Sequence, residues 1–303
     1  MTHTIRGLVP ILATPFTAEG QLDIPSLRRL ATFTVEAGAS GVAVSGMASE
    51  AFALTAGERE KILRTVVEVV DGACPVVCGI NATSTVTAIE QAEEAAEAGA
   101  SCLMVLPPYM VKPTAAQILE FYADVAASTP AEIMIQDAPG PTGVQMSVQT
   151  ITELSKIPGV TSVKVEAPPT AEKVTAVVQA SASEGFAVLG GNNAQLCLEE
   201  YAGGAIGTMP ACEFTDLLAP ILESWHAGEE RSARRDFAAL MPLLLFGVQP
   251  GLAWAVHKEI LVRRGIIATS TVRSPAGPLQ ATTRAALLSM IENLDCEMPA
   301  FRR

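Results

Sequence analysis

The sequence predicts a (β/α)8 TIM barrel with a three-helix appendage at its C-terminal end. Eight short apolar runs alternate strictly with eight amphipathic stretches, at about 30 residues per unit. The first run is followed by Thr14-Pro-Phe-Thr-Ala18, not by the Gly-x-Gly-x-x-Gly turn of a doubly wound sheet. Beyond about residue 228 the pattern turns wholly helical. We therefore divide the chain into residues 1–228, a barrel carrying the active site, and residues 229–303, a helical extension on its flank.

The expected strands are 8–13, 41–45, 75–80, 101–106, 132–136, 160–165, 186–189 and 205–208. Each is short, rich in Val and Ile and bounded by Gly or Pro, as buried parallel strands are. Among the intervening helices, 24–37 carries Leu27, Leu30, Ala31 and Thr34 on one face and stops at Gly38. The next, 55–70, opens with Thr55 and Glu58 at capping-box spacing. Helix 85–98 ends at Gly99, and 114–127 follows Pro113. Segments 147–154, 170–180, 193–201 and 213–225 complete the alternation, and 229–246, 252–264 and 280–294 form the appendage. The loop 272–278, with two prolines and a glycine, reads as a rigid surface connection.

Composition narrows the function classes. Of 303 residues 49% are hydrophobic and 17% charged, with mean hydropathy +0.34, enough apolar mass for a large core. A net charge of -12 and a pI near 4.8 argue against a nucleic-acid surface. The glutamates at 90–97 read as a solvated helix face. The six cysteines form no Cys-x-x-Cys pair and have no neighbouring histidine, which fits free thiols in a reducing compartment and no metal site. The N-terminal residues 1–6 lack a signal-peptide pattern, and no apolar stretch reaches the ~18 residues of a membrane helix. A cytoplasmic protein is expected.

In a barrel of this kind chemistry sits at the C-terminal ends of strands. Lys164 lies in the apolar run Val160-Thr-Ser-Val-Lys-Val-Glu166 and is the only lysine among the strand ends. Burial lowers an amine's pKa, and a neutral amine attacks carbonyls to form a Schiff base. The alternative is a lysine whose stem is buried and whose head reaches water. Glu166, two residues on, shares its face and acts either as an ion-pair partner or as an acid or base near the imine. On strand five, either Ile135 and Asp137 or Met134 and Gln136 face the barrel mouth. The polar loop Ser45–Glu50 follows strand two, and Gly190-Gly-Asn-Asn193 follows strand seven. The histidines, at 3, 226 and 257, all fall outside the strand ends, so neither a hydrolase triad nor a catalytic metal is supported. Gly203–Gly207 reads most simply as close strand packing.

These features together resemble the dihydrodipicolinate synthase / N-acetylneuraminate lyase family, barrels that form a Schiff base with a 2-oxo acid. The markers are Pro10-Ile-Leu-Ala-Thr-Pro-Phe16, Gly46-Met-Ala-Ser-Glu50, Pro107-Pro-Tyr109 with Lys112-Pro-Thr114, Thr142-Gly143, and Lys164 at the imine position. The resemblance implies a lyase with Lys164, Gln136, Glu166 and Ser49 as catalytic residues. It implies substrate contacts at Met47, Ala48, Ser49, Tyr109, Gly191 and Gly207, no cofactor, and a homo-oligomer, tetramer or dimer. The chain departs from the synthase pattern where tyrosines are replaced by Gln136 and Met110, threonines by Met47 and Ala48, and a carboxylate-gripping arginine by Pro141. Ile133-Met-Ile-Gln-Asp-Ala-Pro139, Lys164-x-Glu166, Ser49-Glu50 and Ile266-Ile-Ala-Thr269 instead resemble the branch that dehydrates 2-keto-3-deoxy sugar acids of the 2-dehydro-3-deoxy-L-pentonate type. A pyruvate-releasing aldolase, after it the synthase reaction itself, and a catalytically decayed ligand-binding protein are the other readings.

Overall fold

The computed structural model describes residues 5–181 and 186–297. His3 and the first four residues lie outside this range, and so does the side chain of Cys296. The remaining cysteines, Cys74, Cys78, Cys102, Cys197 and Cys212, are free. No helix among the described residues is long and apolar enough to cross a membrane.

Eight parallel strands form the barrel: β1 (Gly7–Leu8), β2 (Val42–Val44), β3 (Val76–Ile80), β4 (Cys102–Val105), β5 (Glu132–Asp137), β6 (Val160–Val165), β7 (Ala187–Gly190) and β8 (Gly207–Thr208). The sheet runs β1-β8-β7-β6-β5-β4-β3-β2, and Ile11 closes it by bridging Ala43 on one side and Ala211 on the other. The fold class is thus a (β/α)8 barrel followed by C-terminal helices. Strands one and eight are shorter than their apolar runs. Strand β8 begins two residues into its run; Pro10, which carries no N–H, interrupts the ladder after β1, and Pro210 does the same beyond the end of β8. Their carbonyls still take part, accepting from Ala43 N–H (2.9 Å) and Ile11 N–H (2.7 Å).

The covering helices are α1 (Ile24–Glu36), α2 (Ala56–Val70), α3 (Thr85–Glu97), α4 (Ala115–Ala127), the single turn α5 (Pro139–Thr142), α6 (Val148–Leu154), α7 (Thr170–Ala180), α8 (Cys197–Ala202) and α9 (Thr215–His226). The Thr55–Glu58 capping box forms as its spacing predicts. Helix α5 is not evident in the pattern. Pro139 starts it and left-handed Gly143 stops it. Helix α8 begins four residues later than expected, because Asn192, Asn193 and Ala194 are all left-handed, with φ of 48, 55 and 57°.

Side chains alternate across the strands as the pleat requires. Ile133, Ile135, Val163 and Val165 point outward into the core shared with the helices, whereas Met134 and Leu189 fill the barrel interior. Asp137 therefore faces the helix layer, where it meets Lys173 of α7 at 2.6 Å. Burial raises its carboxyl pKa, and Lys173 opposes the shift.

The tail comprises α10 (Glu230–Phe246), α11 (Ala253–Arg263) and α12 (Ala281–Glu297). Leu240, Leu243 and Leu287 share an apolar cluster with Leu217 and Leu218 of α9. Helix α11 instead crosses the barrel mouth, and three consecutive ionisable residues of it are buried. His257 Nδ1 meets Glu213 at 2.6 Å, Lys258 pairs with Glu50 in the loop after β2, and Glu259 meets Arg284 of α12 at 2.6 Å. Arg273 fastens the loop after α11. It donates to Gly20 and Ala53 carbonyls, pairs with Glu58 at 2.7 Å and lies 4.1 Å from the Phe16 ring centroid. This residue anchors what the sequence presents as a plain surface connection, and its guanidinium lowers the Glu58 pKa to about 2.

The Lys258–Glu50 pair is the most deeply buried of these clamps, at 1% and 0% side-chain exposure. Removing one partner of a buried pair strands the other charge. Lys258→Ala should therefore destabilise the protein by about 3–5 kcal/mol in urea unfolding, with Lys258→Met milder.

Candidate active site

β6 carries Lys164 to the barrel mouth at 1% exposure. Its Nζ lies 3.1 Å from Glu166 Oε1. Lys164 pairs in register with Gln136 of β5, whose Nε2 donates to Glu166 Oε2 at 2.9 Å. The main-chain N–H of Asn192 donates to Glu166 Oε1 at 3.3 Å. Both Glu166 oxygens are thus held, an arrangement that fixes the direction of the group. Gly191 makes the close packing possible: a Cβ there would lie 2.4 Å from Glu166 Cγ and 2.8 Å from Lys164 Cε.

Lys164 and Glu166 open into a cavity of about 510 Å³. Met47 and Ala48 from the loop after β2 line one side, and Asn192 and Asn193 from the turn after β7 line another. Its roof comes from the tail, through residues 247–251, Trp254 and His257. Trp254 Nε1 donates to Met47 O at 2.6 Å and packs edge-on against Phe52 at 4.8 Å. Across Met47, Pro141 and Trp254 lies a second cavity of about 560 Å³, lined by Arg59, Asn81, Gln91 and Tyr109.

The structure brings Lys164, Glu166 and Gln136 together and sets Met47 and Ala48 on the cavity wall. Ser49 goes elsewhere: its hydroxyl donates to Leu12 O and its carbonyl accepts from Thr14 Oγ1, both at 2.6 Å. The Ser49 N–H is also engaged, with Gly46 O at 3.1 Å, which leaves the N–H groups of Met47 and Ala48 at the head of the turn. Tyr109 lines the second cavity. Gly207 lies within β8, where a Cβ would come 2.8 Å from Gly7 O. It serves strand packing and lines neither cavity.

Sequence reasoning did not find His257 or Trp254. The available signal was Trp254-Ala-Val-His-Lys-Glu259, because three successive ionisable residues cannot all point outward from a helix with apolar neighbours. Among the described residues no group of three or more His, Cys, Asp or Glu is placed to hold a metal ion.

A model of the dihydrodipicolinate synthetase family matches residues 4–294. The chain belongs to that family. It is 32% identical over 295 residues to L-2-keto-3-deoxyarabonate dehydratase of Azospirillum brasilense, covering 96% of this chain and 94% of the relative. It is 37% identical over 286 residues to 4-hydroxy-tetrahydrodipicolinate synthase of Stenotrophomonas maltophilia, covering 93% and 94%. The crystal structure of dihydrodipicolinate synthase from Rhodopseudomonas palustris superposes with a TM-score of 0.90 at 27% identity, covering 97% of this chain and 99% of that one. Like other dihydrodipicolinate synthetase family members, the protein is a lyase.

Two predictions follow from the packing beneath the site. Gly191→Ala should lower turnover about 10- to 100-fold with little change in circular dichroism, since the added methyl displaces Lys164 or Glu166. Glu200 of α8 is buried at 1% exposure, packed so tightly under β7 that a Cβ on Gly190 would overlap its Oε2. Burial pushes its carboxyl up from 4.5 to about 7, with Glu199 and Glu166 adding to the rise and Thr170 opposing it. The folded state therefore keeps this proton between pH 4.5 and 7, where the unfolded chain has lost it. The resulting stability is complete below pH 4.5 and lost as pH rises through 7. It amounts to about 3 kcal/mol at ~1.4 kcal/mol per pKa unit. Chemical denaturation of Glu200→Gln across this window should show a correspondingly flatter pH dependence than the parent.

Proposed function

We propose that the protein condenses Lys164 with the ketone of a 2-keto-3-deoxy sugar acid and eliminates water from it. The substrate class is the 2-dehydro-3-deoxy-L-pentonates. The observation that carries this reading is the buried Lys164–Glu166 pair, tied to Gln136 and opening into one cavity. At 3.1 Å, Glu166 is within reach to take the ammonium proton as the amine attacks, to return it to the carbinolamine hydroxyl that leaves as water, and then to remove a C3 proton from the imine. The imine accepts the electron pair, the C4 hydroxyl leaves as water, and loss of a C5 proton with protonation at C3 turns the C3=C4 product into the aldehyde before water hydrolyses the imine. The Met47 and Ala48 N–H groups offer donors for the substrate carboxylate.

The synthase reading is disfavoured by Gln136 where that pattern has a tyrosine, by Pro141 where it has an arginine, and by Met110, 72% exposed on the surface. The likeness to a keto-deoxy-arabonate dehydratase along 96% of the chain supports dehydration. In this reading residues 1–228 carry the chemistry and residues 229–303 roof it. The protein works without a cofactor as a cytoplasmic homo-oligomer, and exposed Phe52, Met110 and Val111 are available to a second copy.

Borohydride reduction in the presence of a 2-keto-3-deoxypentonate, read by mass spectrometry, should give a covalent adduct that disappears in Lys164→Ala. A dehydrogenase-coupled assay should then detect 2-oxoglutarate semialdehyde. Pyruvate detected with lactate dehydrogenase in its place would identify an aldolase, and absence of any adduct would refute the imine. Glu166→Gln should lose about 100-fold or more in kcat.

A further inference from the structure

The proposed dehydration moves two protons, one away from C3 and one onto the departing hydroxyl. Three ionisable side chains line the cavity: Lys164, Glu166 and His257. Lys164 forms the imine, and Glu166 is oriented toward it by Gln136 and Asn192. Ser49 has turned its hydroxyl to Leu12 O, and the Gln136 amide is no acid. That leaves His257.

Several contacts prepare this side chain for a task at a fixed point. His257 is 4% exposed and Glu213 is 1% exposed. Glu213 Oε1 lies 2.6 Å from Nδ1, which holds the ring in one orientation and directs Nε2 away from the carboxylate. No hydrogen bond engages Nε2 among the described residues. Behind the ring, Gly247 gives it room: a Cβ there would lie 2.9 Å from His257 Cε1. Neighbouring Lys258 and Glu259 are turned away to Glu50 and Arg284, and they fix the helix that carries the histidine. Arg264 donates to the main-chain carbonyl of Glu213 and pairs with Asp216, which steadies the carboxylate's own segment. The charged groups facing His257 are therefore Glu213 on one side and Lys164 with Glu166 across the cavity.

We propose that His257 is the general acid of the dehydration and that Glu213 is its positioning residue; this rests on the imine-dehydratase reading above. In the step, Glu166 removes the C3 proton from the Lys164 iminium, giving an enamine. The C4–O bond then breaks as the enamine electrons form C3=C4 and restore the iminium. The hydroxide takes the Nε2 proton of imidazolium His257 and leaves as water. Neutral His257 and protonated Glu166 remain, and water returns the proton from one to the other. Glu213 balances the imidazolium charge without being protonated itself. The C-terminal tail thereby supplies a reacting group as well as a roof.

Two reactions on the same protein separate this role from a structural one. Exchange of C3 protons of 2-oxobutanoate with deuterium, followed by NMR, needs the imine and its base but has no leaving group to protonate. His257→Gln should keep exchange within about threefold of the parent while losing about 100-fold or more in kcat for dehydration, with KM little changed. Glu213→Gln should show the same split, weaker. Dehydration within threefold of the parent would overturn the proposal, and so would exchange lost in parallel with dehydration. A parent that exchanges C3 protons yet dehydrates no 2-keto-3-deoxypentonate would instead refute the dehydratase reading, and this role with it.

Discussion

An amine and a carboxylate 3.1 Å apart at the end of β6 set the terms for everything around them. Taking two such charges out of water costs several kcal/mol per ion unless each gains partners at good geometry. The surroundings of Lys164 meet that demand group by group. Gln136 and the Asn192 N–H occupy Glu166, and Gly191 lets the β7 turn close against both stems. Outward-facing Val163 and Val165 bury their side chains in the layer shared with the helices, which holds β6 in register. Lys164 therefore owes its position to the sheet as a whole.

Helix α11 presents the same problem three times in succession. Its buried His257, Lys258 and Glu259 find partners in the segment after β8, the loop after β2 and α12. Such pairs contribute little net stability compared with apolar packing, but each is directional. Three of them pointing different ways leave the helix one seating over the barrel mouth. A helix held only by leucines would tolerate sliding.

Much of this was legible in the chain. Strands β3 to β6 match their apolar runs closely, because each is a largely buried stretch with no proline inside. Lys164 was legible for the same reason, as a lone charge in such a run. Strand β1 was less so, since the ladder ends where Pro10 removes a donor while the apolar pattern continues, and β8 starts only at Gly207, two residues into its run. The choice between Asp137 and Gln136 needed the register against β6, which pattern alone leaves open. Ser49 and Gly207 belong to the right segments, but a 3-10 turn and a strand interior direct them to packing. His257 was hidden because its partner, Glu213, lies 44 residues away in a segment whose approach to α11 depends on the complete fold.

Trp254 separates two hollows of comparable size, and it stands on α11 while the amine stands on β6. The amine and the divider are thus encoded in stretches of chain some ninety positions apart, whereas His257 shares α11 with the indole. Drift at the indole can merge or part the two hollows, but it also bears on the Met47 turn and on the helix that carries His257. A single side chain therefore couples the width of the hollow to the groups around the amine.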